Sequence, residues 1–303
     1  MATEHYETIS CNICNSTEYT VVYPSLPIEN DDPVKRFKSS GDEPSRDQTV
    51  KCAGCGLVYV NPRLKPEHIV GGYSEGSDER FVSQAKGREL TFDRQLKFIE
   101  KHHPQKGKIL DIGTAGGSFL GVAKRRGWDV IGIEPNKWLC EWGRKNYGID
   151  IRQGTLFDHK FPDNSFDCVT LFDVLEHVPD PTKVLQEINR ILKPGGLLVV
   201  NYPDFNSFWS KLLKRKWVFI LTVHLFYFTP QTITKILEKT GYAPFVIKKH
   251  WQTLAFGYLA SRFEPYSKLI AKIATRIVAT LGMNDWQVPY WLGQTLVLAR
   301  KRT

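Results

Sequence analysis

Residues 109–120 read ILDIGTAGGSFL, and this stretch decides the fold. An apolar run over 108–112 has the length and composition of a buried strand, and a helical pattern follows from 116. The turn between them is built from small residues, namely Gly113, Ala115, Gly116 and Gly117. A turn without bulky side chains lets a ligand lie against backbone amides at a helix N-terminus. The stretch therefore predicts a ligand-binding turn at the end of the first strand.

Downstream of this turn, short apolar runs alternate with helical segments. We predict strands over 108–112, 129–133, 166–172, 196–201, 245–249 and 293–301. We predict helices over 116–126, 136–147, 181–192 and 230–240. Alternation at this spacing indicates an α/β fold with a parallel sheet and helices on both faces. Ligands of such sheets bind at the carboxyl ends of the strands.

Two acidic residues sharpen the ligand prediction. Asp111 ends the first strand, where its carboxylate can face an ammonium group and would repel a pyrophosphate. Glu134 ends the second strand about 20 residues past the loop, where an acid accepts hydrogen bonds from ribose hydroxyls. The ligand should therefore be a nucleoside with an amino acid end. The frame from Gly113, G-x-A-x-x-S, disagrees with a dinucleotide-binding motif, and the absence of a following Gly-Lys-Ser/Thr excludes a P-loop.

Six segments between 107 and 249 carry a family resemblance. They are ILDIGTAGGSFL, VIGIEPN, GTLFDHKFPDNSFD, FDVLEHVPDP, INRILKPGGLLVV and HLFYFTPQTITKILEKTGY. On these segments the chain resembles class I S-adenosylmethionine-dependent methyltransferases of the ubiquinone/menaquinone-methyltransferase-like group. The resemblance implies a Rossmann-like, doubly wound, mainly parallel seven-stranded sheet and S-adenosylmethionine as cofactor.

The resemblance also implies a cofactor site. Its members would be Asp111, Gly113, Thr114, Ala115 and Gly117 at the methionine part, Glu134 and Pro135 at the ribose, Thr155 and Leu156 at the adenine, and Phe172 near the methionine. The family usually has glycine at the position of Ala115 and an acid at that of Thr155. A methyl group fits if φ of Ala115 is negative, and the Thr155 hydroxyl can accept a hydrogen bond from the adenine amino group.

Four cysteines form two CxxC pairs, Cys11 with Cys14 and Cys52 with Cys55. A two-residue gap lets a tight turn aim both sulfurs at one metal ion. A redox motif would need its own βαβ context, and disulfides are disfavoured in a cytosolic chain. We predict a structural Zn²⁺ in a zinc-ribbon-like module over 1–62. A helical linker or cover over 63–106 and the methyltransferase domain over 107–303 would follow.

Two amphipathic segments belong to this domain. A lid or acceptor insertion is predicted around 203–229, and a C-terminal helical extension over 256–285. In the first, one half of a helix carries Phe208, Trp209, Leu212, Leu213 and Trp217. In the second, a helix over 265–281 is predicted to bury Tyr266, Leu269, Ile273, Ile277 and Leu281 and to expose Lys268, Lys272 and Arg276. Basic and apolar faces of this kind also suit an anionic membrane surface, so peripheral membrane contact remains open.

Two histidines are candidates for a general base. His224 lies before the helix that begins at Pro230, in the segment where this fold places its acceptor-facing insertion. It could equally cap a helix or pack under the lid. His177 is the second candidate, and it could instead orient the loop after the fourth strand. The module and domain together also resemble zinc-bearing sugar C-methyltransferases, although Val223 stands where those enzymes have an acid.

The sequence predicts an enzyme that moves a methyl group to a small-molecule, glycan or lipid-linked acceptor by in-line displacement. One alternative is an RNA methyltransferase that uses the zinc module and the basic surface, since the formal charge is +9. Against it, the zinc segment lacks interleaved aromatic and basic residues and is acidic around Asp31 and Asp32. Another alternative is a non-catalytic S-adenosylmethionine-binding scaffold.

The beginning of the chain, MATEHYETISC, has neither a basic region nor an apolar region typical of a signal peptide. The longest apolar run, 217–228, is too short for a spanning helix. We therefore expect a cytoplasmic protein without a transmembrane helix.

Overall fold

The structure, a computed structural model, describes residues 5–27, 43–73, 77–264 and 267–302, with the backbone alone for 70–73. Asp31, Asp32 and Tyr266 lie outside the described residues. Within the described part, no helix is both long enough and apolar enough to cross a bilayer.

The described chain folds into strands and helices in the following order. The strands are β1 (Tyr6–Glu7), β2 (Tyr19–Tyr23), β3 (Thr49–Cys52), β4 (Val58–Val60), β5 (Arg63–Leu64), β6 (Lys108–Ile112), β7 (Asp129–Glu134), β8 (Asp150–Gln153), β9 (Phe166–Phe172), β10 (Leu192–Pro203), β11 (Phe226–Tyr227), β12 (Tyr242–Lys249), β13 (Gln252–Ala255), β14 (Gln287–Tyr290) and β15 (Gln294–Lys301). The helices are α1 (Pro66–Tyr73), α2 (Glu79–Val82), α3 (Ala85–His102), α4 (Ser118–Arg125), α5 (Lys137–Tyr147), α6 (Pro181–Ile191), α7 (Phe208–Leu213), α8 (Pro230–Lys239), α9 (Phe256–Ser261) and α10 (Lys268–Thr280).

The main sheet has seven strands in the order β12-β15-β10-β9-β6-β7-β8. Only β15 runs antiparallel to its neighbours in this sheet. The strand order reverses between β6 and β9, and this switch point is where open α/β sheets bind ligands. The predicted mainly parallel seven-stranded sheet is confirmed. The prediction did not place β8, whose four residues, DIRQ, bury Ile151 alone.

Side chains of β6 alternate between the two faces of the sheet. Leu110 and Ile112 join the core beneath α6 and α8, whereas Ile109 joins a second core with Leu96 and Phe119. By the two-residue period of a strand, Asp111 belongs to the side of Ile109, where α3 and α4 cover the sheet. The predicted site carboxylate therefore lies under the helix that follows the glycine turn.

The cysteine-rich segment is joined to the main domain through a sheet and a shared core. Its four-stranded sheet has the order β11-β4-β3-β2, so a strand from beyond residue 220 completes it. Tyr59 pairs with Phe226 in this sheet. Cys11 and Val50 lie in the same hydrophobic cluster as Leu110. The module is thus built against the part of the chain that carries the main sheet.

The burial predicted for the C-terminal extension is wrong. Exposed fractions along α10 are 67% for Leu269, 50% for Ile273, 54% for Ile277 and 64% for Leu281, whereas the buried residues are Ala271 and Val278. Periodicity finds an apolar stripe, but it does not show which side of the helix has a packing partner. Here the helix packs on the rest of the protein through Ala271 and Val278. The antiparallel strands β13 and β14, which the sequence did not predict, pair with each other where the chain enters and leaves this extension. We call this pair of strands the hairpin.

The amphipathic helix predicted from Phe208 to Trp217 is also shorter than expected. The helix α7 ends at Leu213, because Lys214 takes a positive φ of 50° and turns the chain. Trp217 is buried, and its indole N–H donates to the carbonyl of Leu292 at 2.8 Å. Phe208 and Leu212 are exposed. The predicted apolar half of one helix is therefore divided between the core and the surface.

Candidate functional site

The glycine turn after β6 has a backbone that side chains would obstruct. Gly113 has φ +66°, and a Cβ there would lie 2.6 Å from Cγ2 of Val174. Gly117 has φ +77° and N-caps α4. The amides of Gly113 and Thr114 donate to the carbonyl of Ile133 at 2.9 and 3.0 Å, so the turn is tied to the end of β7. Small residues are needed here for both conformation and space.

Ala115 does not have the negative φ that the sequence interpretation required. Its φ is +49°, in the left-handed region where a Cβ crowds the backbone. The same residue donates its amide hydrogen to Oε2 of Glu134 at 2.8 Å. The alanine is thus held in a strained conformation by a bond to the acid of the next strand.

Asp111 and Glu134 end neighbouring strands and are both buried. Oδ1 of Asp111 accepts a hydrogen bond from the Thr170 hydroxyl at 2.5 Å, while Glu134 accepts from the amides of Ala115 and Asn136. Burial raises the pKa of Asp111 to about 7, with the charge of Glu134 adding to the effect. Burial likewise raises the pKa of Glu134 to about 7. No ion pair among the described residues involves either acid, so their charges call for a cationic or hydrogen-bonding ligand.

The predicted adenine end follows directly on β8. The amide of Gly154 donates to the carbonyl of Glu134 at 3.0 Å, which brings Thr155 close to the ribose-side acid. The Thr155 hydroxyl donates to Oδ2 of Asp158 at 2.8 Å, leaving its lone pairs as acceptors. Leu156 is buried in the core, and Pro135 is half-buried. Asp158 is a carboxylate that the sequence interpretation missed, although the T-x-x-D spacing of a capping box marks it.

Aromatic rings surround the predicted methionine end. The ring of Phe172, at the end of β9, lies 4.7 Å from that of Phe119 and 5.1 Å from that of Phe92, measured between centroids. The ring centroid of His250 lies 6.2 Å from that of Phe172. His250 is buried, and its Nδ1 has no hydrogen-bond partner among the described residues. The end of β9 is therefore apolar on one side, which helps to exclude water from a reacting centre.

Asp173, which follows Phe172, is a site residue that sequence reasoning missed. It has φ +55°, and its carboxylate accepts amide hydrogens from Asn201 at 2.6 Å, Gln294 at 3.1 Å and Gln252 at 3.4 Å. Burial raises its pKa despite these bonds. Only its position after a strand could have signalled it, because the three amides come from distant strands.

The two candidate bases lie together. The rings of His177 and His224 are 4.5 Å apart and perpendicular, and one donor atom of each lies within 4.8 Å of a carboxylate oxygen of Glu176. Nδ1 of His177 lies 3.0 Å from the carbonyl of Val223, and Nδ1 of His224 lies 2.8 Å from that of Phe219. Burial lowers the pKa of His177 to about 4 and that of His224 well below its usual value. Both imidazoles are neutral at pH 7 and able to accept a proton or ligate a metal.

Burial also raises the pKa of Glu176 well above its usual value, and the charge of Asp173 contributes. Neither carboxylate oxygen of Glu176 has a hydrogen-bond partner within the described residues. One buried acid beside two neutral imidazoles is a donor set that suits proton transfer and also a divalent metal ion.

The four cysteine sulfurs form one cluster in which all lie within 4.8 Å of one another. Sγ of Cys11 is 3.4 Å from that of Cys55, and Sγ of Cys14 is 3.4 Å from that of Cys52. These separations are far longer than a disulfide bond of about 2.05 Å. They approach the edge of about 3.8 Å that a tetrahedron with zinc–sulfur bonds of about 2.3 Å would have. The donor set therefore fits a structural zinc ion.

The cysteine turns also hold the loop that carries His177. The side chain of Asn12 donates to Oδ1 of Asp180 at 2.9 Å and accepts from the amide of Thr182 at 2.9 Å. Lys239 donates to the carbonyl of Ile13 at 2.7 Å, and Lys235 to that of Cys55 at 3.0 Å. Both the start of α6 and the exposed side of α8 are thus braced by the module.

Comparisons with known proteins agree with this architecture. A family model described as a methyltransferase domain matches residues 84–245, more than half of the 303 residues. The solved structure of a S-adenosylmethionine-dependent methyltransferase from Archaeoglobus fulgidus covers 74% of this chain and 100% of its own, with a TM-score of 0.50 at 20% identity. This likeness is one of fold.

Curated relatives match over shorter stretches. The ubiquinone biosynthesis O-methyltransferase of Actinobacillus pleuropneumoniae is 37% identical over 103 residues, covering 30% of this chain and 43% of the relative. The sterol 24-C-methyltransferase erg6 of Aspergillus fumigatus is 34% identical over 101 residues, covering 31% of this chain and 27% of the relative. The chain thus spans less than half the length of these relatives. By its domain model and its fold, the chain belongs to the class I S-adenosylmethionine-dependent methyltransferases.

Proposed function

We propose that the protein transfers a methyl group from S-adenosylmethionine to a small-molecule, glycan or lipid-linked acceptor. One observation carries the proposal: Asp111 and Glu134 are buried carboxylates at the ends of adjacent strands, on either side of a glycine turn. Two buried acids that lack an opposite charge are costly to ionise unless a ligand compensates them. An ammonium at Asp111 and ribose hydroxyls at Glu134 would provide this compensation.

The cofactor, when bound, would supply an electrophilic methyl group, which bonds to the acceptor in line as the carbon–sulfur bond breaks and the neutral thioether leaves. The chain's own contribution is alignment and exclusion of water. Gly113, Thr114, Ala115 and Gly117 would hold the methionine part, with Pro135 beside the ribose and Thr155 and Leu156 at the adenine. The Phe172 ring, packed on Phe119, would shield the reacting centre from solvent.

We assign the base role to His224, with His177 as its neighbour. An Nδ1–H of His224 donating to the Phe219 carbonyl leaves Nε2 as the atom that takes a proton from the acceptor. Ionisation of the buried Glu176 beside the ring would supply the negative charge that stabilises the imidazolium as it forms. Replacing His224 by Gln should lower turnover about 100-fold and leave cofactor affinity unchanged.

For the cysteine cluster we propose one structural Zn²⁺ held by Cys11, Cys14, Cys52 and Cys55. Four thiolates leave no open coordination position, so the ion would stabilise the module and take no part in methyl transfer. The ion would brace the loop of His177 through Asn12.

The acceptor class is proposed from the relatives and the site together. Relatives named for ubiquinone biosynthesis and for a sterol support a small or lipid-linked acceptor over RNA. Calorimetry with S-adenosylhomocysteine tests the cofactor site first. A screen with methyl-labelled cofactor then compares quinols, nucleotide sugars, lipids and RNA. Absence of any affinity for the cofactor product in folded, metal-loaded protein would refute the proposal, and cofactor binding without any transfer would favour a scaffold.

A further inference from the structure

The helix α10 leaves an apolar surface uncovered. Leu269, Ile270, Ile273 and Ile277 are each at least 50% exposed, and Leu281 follows them at the end of the helix. Large apolar side chains exposed side by side on one helix mark an interaction surface, since isolated exposed residues are the normal case. We call these five residues the apolar row.

A basic row lies beside the apolar row. Lys268, Lys272 and Arg276 are exposed and follow one another at four-residue spacing, one position before Leu269, Ile273 and Ile277. Because each residue advances about 100° around a helix, the two rows are adjacent and run along the same length of the helix. The 13 residues of α10 include no acidic residue.

The attachment of α10 to the body leaves both rows free. The buried residues of the helix are Ala271 and Val278, which lie on the side that faces away from the apolar row. Backbone bonds from Phe256 to Trp286 at 2.9 Å and from Gly257 to Asn284 at 3.1 Å fix the base of the extension. Phe263, which lies between α9 and α10, and Trp286, which follows α10, are also exposed.

The charge pattern decides between two occupants. A second copy of the chain packed on this face would bring two basic rows together, which is unfavourable. An anionic bilayer complements the basic row while its acyl region accepts the apolar row, and tryptophan is a preferred residue at such interfaces.

The extension is connected along the chain to residues that contact Asp173. It lies between the paired strands β13 and β14, in a chain segment that leaves one strand and returns to the other. Gln252 of β13 donates to Asp173 at 3.4 Å, and the hydroxyl of Tyr290 of β14 donates to Gln252. The two strands that flank the extension in the chain are therefore joined to Asp173 by hydrogen bonds.

We propose that α10 is a membrane-contacting helix that inserts its apolar row into an anionic lipid surface and presents the site to an acceptor in the bilayer. The membrane contact is argued from the geometry of the helix. The presentation of the site to an acceptor in the bilayer rests on the proposed methyl transfer. The acceptor would then be a lipid or a lipid-linked molecule.

Vesicle co-sedimentation of the full chain tests the inference, using phosphatidylcholine vesicles with and without phosphatidylglycerol. We expect binding to the anionic vesicles alone, with affinity falling as salt rises. The double variant Ile273→Glu with Ile277→Glu should abolish binding, and Lys272→Gln should weaken it about fivefold. The matched control Val21→Glu changes a residue that is 51% exposed on β2 and should bind like the parent.

Three results would overturn the inference: no binding of the parent protein to anionic vesicles, equal binding by the double variant, or a dimer in light scattering that the double variant dissociates. S-adenosylhomocysteine calorimetry on the same preparations reports the fold and the cofactor site separately. If the parent protein binds the cofactor product but not the anionic vesicles, the role of α10 is refuted alone. If the parent protein binds the vesicles but not the cofactor product, the proposed function is refuted alone.

Discussion

At the scale of single residues, Ala115 combines a left-handed backbone (φ +49°) with a hydrogen bond to Glu134. Replacement by glycine removes a conformational cost of about 1–2 kcal/mol. It also adds unfolded-state entropy worth about 0.4–1 kcal/mol. We expect Ala115→Gly to raise the free energy of unfolding by up to about 1 kcal/mol, measured by urea denaturation. Ala123→Gly, in the interior of α4, is the control and should destabilise the protein; a less stable A115G protein would contradict the strain argument.

The carboxylate of Asp111 gives a second prediction, which concerns pH. Its folded pKa of about 7 lies above the usual value of 3.8, so the folded state binds the proton more tightly than the unfolded state. The stability contributed by this group is complete below pH 4 and is lost as the pH rises through 7. Cofactor affinity should change in the opposite direction, because an ammonium group needs the ionised carboxylate.

Calorimetric affinity for S-adenosylhomocysteine should therefore fall below pH 7, by up to about tenfold per pH unit. Asp111→Asn should bind more weakly at neutral pH and respond less to pH, with the remaining response due to Glu134. The exposed Asp129, at the other end of the neighbouring strand, supplies the control Asp129→Asn. Equal pH profiles for the parent and D111N proteins would show that Asp111 does not meet the ammonium group.

At the scale of elements, α3 packs against the hairpin that carries Gln252. A Cβ at Gly87 would lie 2.6 Å from the carbonyl oxygen of Thr253 and 2.6 Å from Oε1 of Gln287. Alanine has the higher helix propensity by about 1 kcal/mol, but the close contact with backbone should outweigh this gain. We expect Gly87→Ala to destabilise the protein by about 1–3 kcal/mol in urea unfolding. The exposed neighbour Lys86→Ala should be nearly neutral; a stabilised G87A would mean that the hairpin yields easily.

The same elements show how far sequence patterns reach. Strands such as β6 and β9 are buried on both faces and are mostly apolar in sequence, so their positions follow from local sequence. Strands β13 and β14 have no such apolar run. They are held by pairing with each other and by the contact of β13 with α3, and local sequence does not show these contacts. Likewise periodicity identified Leu269, Ile273, Ile277 and Leu281 as one stripe, but it predicted them to be buried, and their exposure depends on tertiary packing.

The residues of the candidate site also fall into two groups, those that local sequence predicts and those that it does not. Asp111 and Glu134 could be predicted because each lies at the carboxyl end of a largely apolar strand, and neighbouring parallel strands end at one edge. The amide partners of Asp173 could not be predicted, since Gln252 is 79 residues and Gln294 is 121 residues away along the chain. Only tertiary structure brings such groups together.

At the scale of the whole molecule, the cysteine module and the sheet share one hydrophobic core. Cys11, Tyr59 and Leu64 belong to the cluster that contains Val200 and Leu225. The strand β11 completes the module's sheet, and the amide of Leu225 in the segment leading to it donates to the carbonyl of Glu176 at 2.8 Å. The module therefore fixes the segment of His224 as well as the loop of His177, which gives a structural ion an indirect effect on the acceptor side.

A shared core predicts cooperative unfolding that depends on zinc. Calorimetry of the metal-loaded chain should show a single transition, and removal of the ion by a chelator should lower its midpoint as a whole, because ligand binding to the folded state alone adds to stability. Cys14→Ser removes a proposed zinc ligand and should lower the midpoint as the chelator does. Cys168 lies in β9 and is not one of the four clustered cysteines, so Cys168→Ser should not change metal content. Hydrogen exchange should rise at 219–228 in the metal-free protein, while S-adenosylhomocysteine affinity changes little. Two separate transitions, with only the first one sensitive to the chelator, would show instead that the module folds on its own and does not brace the histidines.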